Sequence, residues 1–184
     1  MGVPEGKGRV NIEQKENTMD VLNDKIYYND EGEYGKYVVN TLQLPPAQAD
    51  PKTVASYERY GKRILWIDSN VVPGSFQLNA SWYFRPNLFL LEEGKDNGAK
   101  FLEPHVHDVG EIVAFYGSDP ENPSELNGEI IFYIGGEKHV FTKSCMVYLP
   151  AGLEHGPLFI QKADRPIFHF SCVMQSTYNA DVTK

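Results

Sequence analysis

The chain is 184 residues long, with 41% hydrophobic and 23% charged residues, a composition that fits one folded domain and excludes collagen, coiled coil and wholesale disorder. Seventeen Lys plus Arg stand against 25 Asp plus Glu, a net charge of -8, so a nucleic acid or an acidic membrane surface is not an expected partner. No apolar run approaches the ~20 residues a bilayer span needs, and the polar N-terminus does not read as a secretory leader, so the expected compartment is cytoplasmic.

Aromatic residues reach 12%, including 11 Tyr and 10 Phe, which tilts the chain toward strands. Residues 1–33 are polar and without a clear period and read as an N-terminal arm. Tyr34-Gly-Lys-Tyr-Val-Val39 is expected to supply a strand, either to the chain's own barrel or to a second subunit, and a homodimer is the expected assembly. One short helix follows: Asp50 is a suitable N-cap, Pro51 fits the first helical position, and Gly61 can close the end.

From residue 62 onward the signals are those of strands. They are expected over 63–67, 75–84, 87–92, 100–107, 111–116, 129–134, 138–143, 145–149, 158–162 and 167–173, separated by Gly, Pro, Asn and Asp. The polar stretch 118–128 reads as a solvated loop. Many short strands at even spacing mean an all-β sandwich or barrel. Cys145 and Cys172 lie in apolar runs and are expected to be reduced and buried. Asn79-Ala-Ser81 matches a glycosylation sequon that is expected to go unused.

Chemistry concentrates in two segments. In Pro104-His-Val-His-Asp108, His105 and His107 are two apart, so strand alternation puts both on one face. A turn at Asp108-Val-Gly110 brings Glu111 back beside them. Far downstream, Pro150-Ala-Gly-Leu-Glu-His155 presents a fourth donor after a tight turn. Three imidazoles and one carboxylate, with no thiolate, suit a borderline divalent ion. Glu103 shares the parity of His105 and is the candidate catalytic base. Phe115 shares the parity of Glu111; Tyr83, Tyr148 and His169 are further candidates for a substrate pocket. Trp82 and Phe84 read as core, and His139 as a solvated residue of a charged hairpin.

The two segments together resemble the cupin superfamily, whose first motif is His-x-His followed by Glu and Gly, here His105-Val-His107 with Glu111 and Gly117. The second motif, Pro-x-Gly-x-x-His, matches Pro150, Gly152 and His155. The resemblance covers about residues 75–175 within a domain of 34–184. It implies a double-stranded β-helix, or jelly-roll barrel, and one divalent metal held by His105, His107, Glu111 and His155. Manganese comes first among the ions it suggests, with iron, zinc, nickel or cobalt as alternatives. It further implies an enzyme acting on a small oxygen-rich carbonyl or enol. The first expectation is a non-redox hydrolase or lyase, for example one hydrolysing a carbon–carbon bond of a cyclic 1,3-diketone. A dioxygenase using the same centre and a non-catalytic sugar- or small-molecule-binding module are the alternatives.

Overall fold

The computed structural model describes residues 30–46, 48–93, 103–178 and 181–182. The expected arm up to residue 29 and the turn at Gly94–Gly98 lie outside the described residues. The chain divides into two units at Val38–Val39. In the first, Gly35–Tyr37 forms a single 3-10 turn, closed by Val38 N–H donating to the Gly35 carbonyl at 2.8 Å, in place of the expected strand. Gly35 sits against the Asp30 main chain, where a Cβ would meet the Asp30 carbonyl, and that approach favours a turn over an extended segment.

The second unit opens with α1 (Pro51–Glu58), whose N-terminus forms as the sequence suggests. The Asp50 carboxylate accepts from the Thr53 amide at 2.9 Å and from the Thr53 hydroxyl at 3.0 Å. Ten strands follow: β1 (Gly61–Ile67), β2 (Gln77–Tyr83), β3 (His105–Val106), β4 (Glu111–Gly117), β5 (Glu125–Ile134), β6 (Glu137–Lys143), β7 (Cys145–Leu149), β8 (His155–Ala163), β9 (Ile167–Val173) and β10 (Asp181–Val182). They form two antiparallel five-stranded sheets, ordered β1-β2-β9-β4-β7 and β10-β3-β8-β5-β6. Without the outermost β1 and β10, the orders 2-9-4-7 and 3-8-5-6 are those of an eight-stranded jelly roll, two Greek keys wound into a double-stranded β-helix.

Three expectations change. The run 87–92 is not a strand: Phe89–Glu93 is a short helix, α2. An apolar run of this length carries no decisive period. What settles it is Asn87, buried and clamped to β8. Its side-chain oxygen accepts from the Ile160 amide at 2.7 Å, and its own amide donates to the Ile160 carbonyl at 3.0 Å. The chain leaves that clamp in a turn, which α2 continues. Replacing Asn87 with Ala strands the Ile160 amide and is expected to cost about 1–3 kcal/mol in a urea melt. The polar loop is also shorter than expected, because β5 begins at Glu125, and β8 begins at His155 rather than at residue 158.

The registers set the layers of the barrel. On the inner face of the first sheet one row runs Gln77, Val173, Glu111, Leu149. The next runs Trp66, Asn79, Ser171, Val113, Val147, and a third runs Arg63, Ser81, His169, Phe115, Cys145. The floor is apolar: Phe115, Leu126, Ile130, Ile160 and Ile167 are fully buried. Trp82 is not core but packs on the outer face against Phe168, with ring centroids 5.2 Å apart, and Phe84 is exposed. Asn79 faces inward with its side-chain oxygen accepting from the Ser81 hydroxyl, so this sequon is closed to modification in the folded state. Cys145 and Cys172 are free thiols, half-buried, with their pKa values raised by burial. No helix among the described residues is long and apolar enough to cross a membrane.

Candidate metal centre and its cavity

His105 and His155 face each other across the β3–β8 pair of one sheet. Glu111 opens β4 in the other sheet, and His107 sits on the connection between them. The four therefore meet where the two sheets approach, and one ligand atom from each can be chosen so that all lie within 4.8 Å of one another. The His105 and His155 rings are 4.4 Å apart, and His107 lies 5.2 Å and 5.3 Å from them.

Backbone carbonyls orient two of these rings. His105 Nδ1 lies 2.8 Å from the Glu103 carbonyl, and His155 Nδ1 lies 2.9 Å from the Leu153 carbonyl. A carbonyl can only accept, so each Nδ1 carries the hydrogen and each Nε2 keeps its lone pair for the centre. Burial lowers the His105 pKa, opposed in part by that carbonyl, which favours the neutral ring a metal needs. Glu111 is buried, which by itself would raise its pKa; a proton on the neighbouring His107 or His155 ring, donated toward the carboxylate, outweighs burial and holds it at about 2. It is thus a carboxylate throughout the neutral range.

The convergence has a physical consequence. Glu111 Oε2 lies 3.0 Å from His155 Nε2 and 3.2 Å from His107 Nε2. With Nδ1 of His155 already donating, its Nε2 faces the carboxylate lone pair to lone pair, and neither atom has a hydrogen-bond partner. Buried acceptors of this kind are costly to hold together unless a cation or proton lies between them. The donor set, three imidazoles and a carboxylate without sulfur, fits a borderline divalent ion.

Gly156, immediately after His155, has φ +90°, and a Cβ there would lie 3.0 Å from the Glu103 carbonyl and 3.5 Å from His105 Nδ1. A side chain would push on the contact that orients His105. Gly156→Ala is expected to cost about 1–3 kcal/mol of stability and to weaken metal binding, read by melting and by metal titration of the same samples.

A cavity of about 110 Å³ opens from the centre into the barrel. Of the residues expected to line it, Tyr83 and His169 do. His169 is buried and stacked between Tyr83 and Phe115, at 5.0 Å and 5.2 Å between ring centroids. Burial lowers its pKa to about 4, and its Nδ1 donates to the Ala114 carbonyl at 3.1 Å, so it is a neutral ring with its Nε2 lone pair uncommitted to that bond. Phe115 faces inward as expected but is fully buried behind His169, outside the cavity lining.

Tyr148 is not a pocket residue. It pairs with Ile112, whose parity is opposite to that of Glu111, and its side chain is 61% exposed. Glu103 joins the centre through its main-chain carbonyl, and it is not among the residues lining the cavity. His139 lies away from the centre, half-buried beside Glu137 with its ring stacked on Phe141.

Several cavity residues escaped the sequence reading. Tyr57 and Tyr60, from α1 and the turn after it, form an aromatic wall with Tyr83, their rings 5.0–6.2 Å apart. Arg63 and Trp66 come from β1, Gln77 and Asn79 from β2, and Tyr178 from the C-terminal segment, with its ring 5.4 Å from His107. Burial, together with the charge of Glu111, raises the Tyr178 pKa, so it stays a neutral phenol. The signal available was the strict alternation of Gln77, Asn79, Ser81 and Tyr83.

No family model matches the sequence, and no curated protein matches it. Among solved structures, an oxalate oxidase in complex with the substrate analogue glycolate is similar at 12% identity, covering 88% of this chain and 74% of that one, with a TM-score of 0.46. An uncharacterised conserved protein with a double-stranded β-helix domain from Klebsiella pneumoniae is similar at 12% identity over 77% of this chain and 97% of that one, TM-score 0.43. A sugar phosphate isomerase of the cupin superfamily from Silicibacter pomeroyi is similar at 13% identity over 69% and 67%, TM-score 0.41. On its own strand order this chain is a double-stranded β-helix, a jelly roll whose two sheets bring His105, His107, Glu111 and His155 together.

Proposed function

We propose that the protein is a divalent-metal-dependent enzyme acting on a small, oxygen-rich carbonyl or enol compound, with non-redox hydrolysis or lyase chemistry as the reaction class. The observation that carries this reading is the convergence of the Glu111 and histidine acceptor atoms beside a cavity large enough for a small organic molecule. His105, His107, Glu111 and His155 would hold the ion, manganese being the preferred candidate. When bound, such an ion supplies Lewis acidity toward a substrate oxygen and lowers the pKa of water.

The chain's own groups then have distinct parts. The Tyr57, Tyr60 and Tyr83 wall packs against the apolar part of the substrate and excludes water. His169, held neutral and rigid between two rings, accepts a hydrogen bond from a substrate hydroxyl through Nε2. Tyr178 is a neutral hydrogen-bond donor close to His107. In hydrolysis of a 1,3-dicarbonyl, water adds to one carbonyl, the adjacent carbon–carbon bond breaks, and the departing carbon takes up a proton.

The test is metal analysis of protein purified without chelators, then assay of the manganese-loaded protein on cyclic 1,3-diketones and 2-oxo acids with and without oxygen. Product formation unchanged under strict anaerobiosis supports the proposal. Turnover that requires oxygen and consumes it stoichiometrically replaces it with a dioxygenase, and absence of a bound ion replaces it with a binding module.

A further inference from the structure

Resting on that metal-enzyme reading, we infer that the substrate carries a carboxylate, bound on the β1–β2 side of the cavity by Arg63 and Gln77. Two independent observations converge here. Gln77 is fully buried, lines the cavity, and neither its side-chain nitrogen nor its oxygen has a hydrogen-bond partner. A buried primary amide with nothing to bond is costly, and such groups in a native fold call for a ligand or another explanation. Arg63 is the one permanent cation among the described residues lining the cavity, and its buried Nε is also unpartnered among them. No ion pair of Arg63 with a carboxylate occurs among the described residues. Its guanidinium is held instead by aromatic faces, 4.7 Å from the Tyr57 ring and 6.0 Å from that of Trp66. Cation–π contact of this kind leaves guanidinium N–H groups, the unpartnered Nε among them, for a planar oxyanion.

The registers locate this subsite relative to the metal centre. Gln77 lies in the same cross-strand row as Glu111, with Val173 between them. Arg63 lies in the row of Ser81 and His169, four residues deeper along the strands, with the Asn79 and Ser171 row between. The cavity therefore runs from a Lewis-acidic centre along a polar wall to a cation. Glu111 is the one carboxylate among the described lining residues, so these with a divalent ion bound are net positive although the whole chain is acidic. A molecule with a carbonyl or hydroxyl oxygen near one end and a carboxylate at the other satisfies both, as an oxo or hydroxy acid does. A neutral sugar or polyphenol would leave Arg63 and Gln77 desolvated and unpaired.

The test compares 4-oxo-4-phenylbutanoate with its methyl ester, which keep the same ketone and differ in the charged far end, by titration calorimetry on manganese-loaded full-length protein and on chelator-treated protein. The acid is expected to bind at least about tenfold tighter than the ester. Arg63→Gln should weaken the acid by about ten- to a hundredfold and abolish the preference, with metal stoichiometry unchanged. Gln77→Leu, close in volume, should keep or raise the melting temperature, because no internal hydrogen bond is lost, while weakening the acid severalfold. A purely structural Gln77 would leave that affinity alone. Equal affinity of the wild type for acid and ester, binding of neither, or undiminished acid binding by Arg63→Gln overturns the inference. Should Arg63→Gln fail to fold, undiminished acid binding by Gln77→Leu overturns it alone. Loss of the metal-enzyme reading is distinguishable: a protein that takes up no divalent ion, yet still prefers the acid through Arg63, refutes that reading and leaves this one standing.

Discussion

His155→Ala is expected to reduce bound divalent metal from one equivalent to a trace, and its affinity by more than about a hundredfold. That exceeds the 10–100-fold typical of losing a group that merely orients a ligand. His155 is the ligand common to the most contacts in the centre: opposite His105 in the β3–β8 pair, 3.0 Å from Glu111 Oε2, and buried. Its removal leaves a carboxylate facing two imidazoles with the fourth donor gone. The size of the accompanying stability change separates the two states of the protein. Without metal, His155→Ala removes a buried ring and its contact with Glu111, the cost of an ordinary buried deletion. In the metal-loaded wild type the ion's binding energy adds to folding, and the variant forfeits it. His139→Ala, at a half-buried hairpin position away from the centre, is the control and should leave metal content unchanged. Metal analysis by mass spectrometry and melting with and without added manganese read all of these.

The second large effect is on pH dependence. His169 is buried with a pKa of about 4, against an ordinary 6.5. The sign follows from proton binding: between these two values the unfolded chain is protonated at this ring and the folded chain is not, so lowering pH favours unfolding. The contribution of a neutral His169 is complete above about pH 6.5 and declines as pH falls to about 4, by an amount on the order of 3 kcal/mol. Glu111, with its pKa depressed to about 2, loses its contribution in a lower window, from about 4.5 downward. The two are therefore separable. Urea melts of metal-free protein at pH 7.5 and 4.5 should differ by about 2–3 kcal/mol from His169, and His169→Gln should remove most of that difference while lowering stability at pH 7.5 through the lost stacking. An undiminished pH dependence in the variant would assign it to other groups.

The donor set was legible because its chemistry is local. His105 and His107 share a strand parity, Glu111 follows one turn later, and His155 is announced by Pro150 and Gly152. The strands β1, β4, β6, β7 and β9 were legible for a similar reason, each a short run bounded by turn residues. The cavity wall was not. In β2 the usual polarity is inverted: Gln77, Asn79 and Ser81 point into the barrel, while Trp82 points out onto Phe168. A reading that sends aromatics inward assigns that strand to the wrong face, and only the partner registers reveal the inversion. Tyr148 failed in the same way. The helix Phe89–Glu93 was hidden because an apolar pentapeptide serves either secondary structure, and the choice is made by Asn87 reaching β8, a contact 73 positions away in the chain.

The position of β1 outside the eight-stranded roll has a consequence for how this protein can change. The four candidate metal donors lie on the roll and the connection between its strands, whereas Tyr57, Tyr60, Arg63 and Trp66 belong to the segment that precedes it. Part of the cavity wall is thus carried by a stretch of chain separate from those four donors. Exchanging residues 48–66 for another leading segment is expected to retune which molecules are admitted while sparing the metal ligands, which makes that stretch a natural target for altering specificity by design.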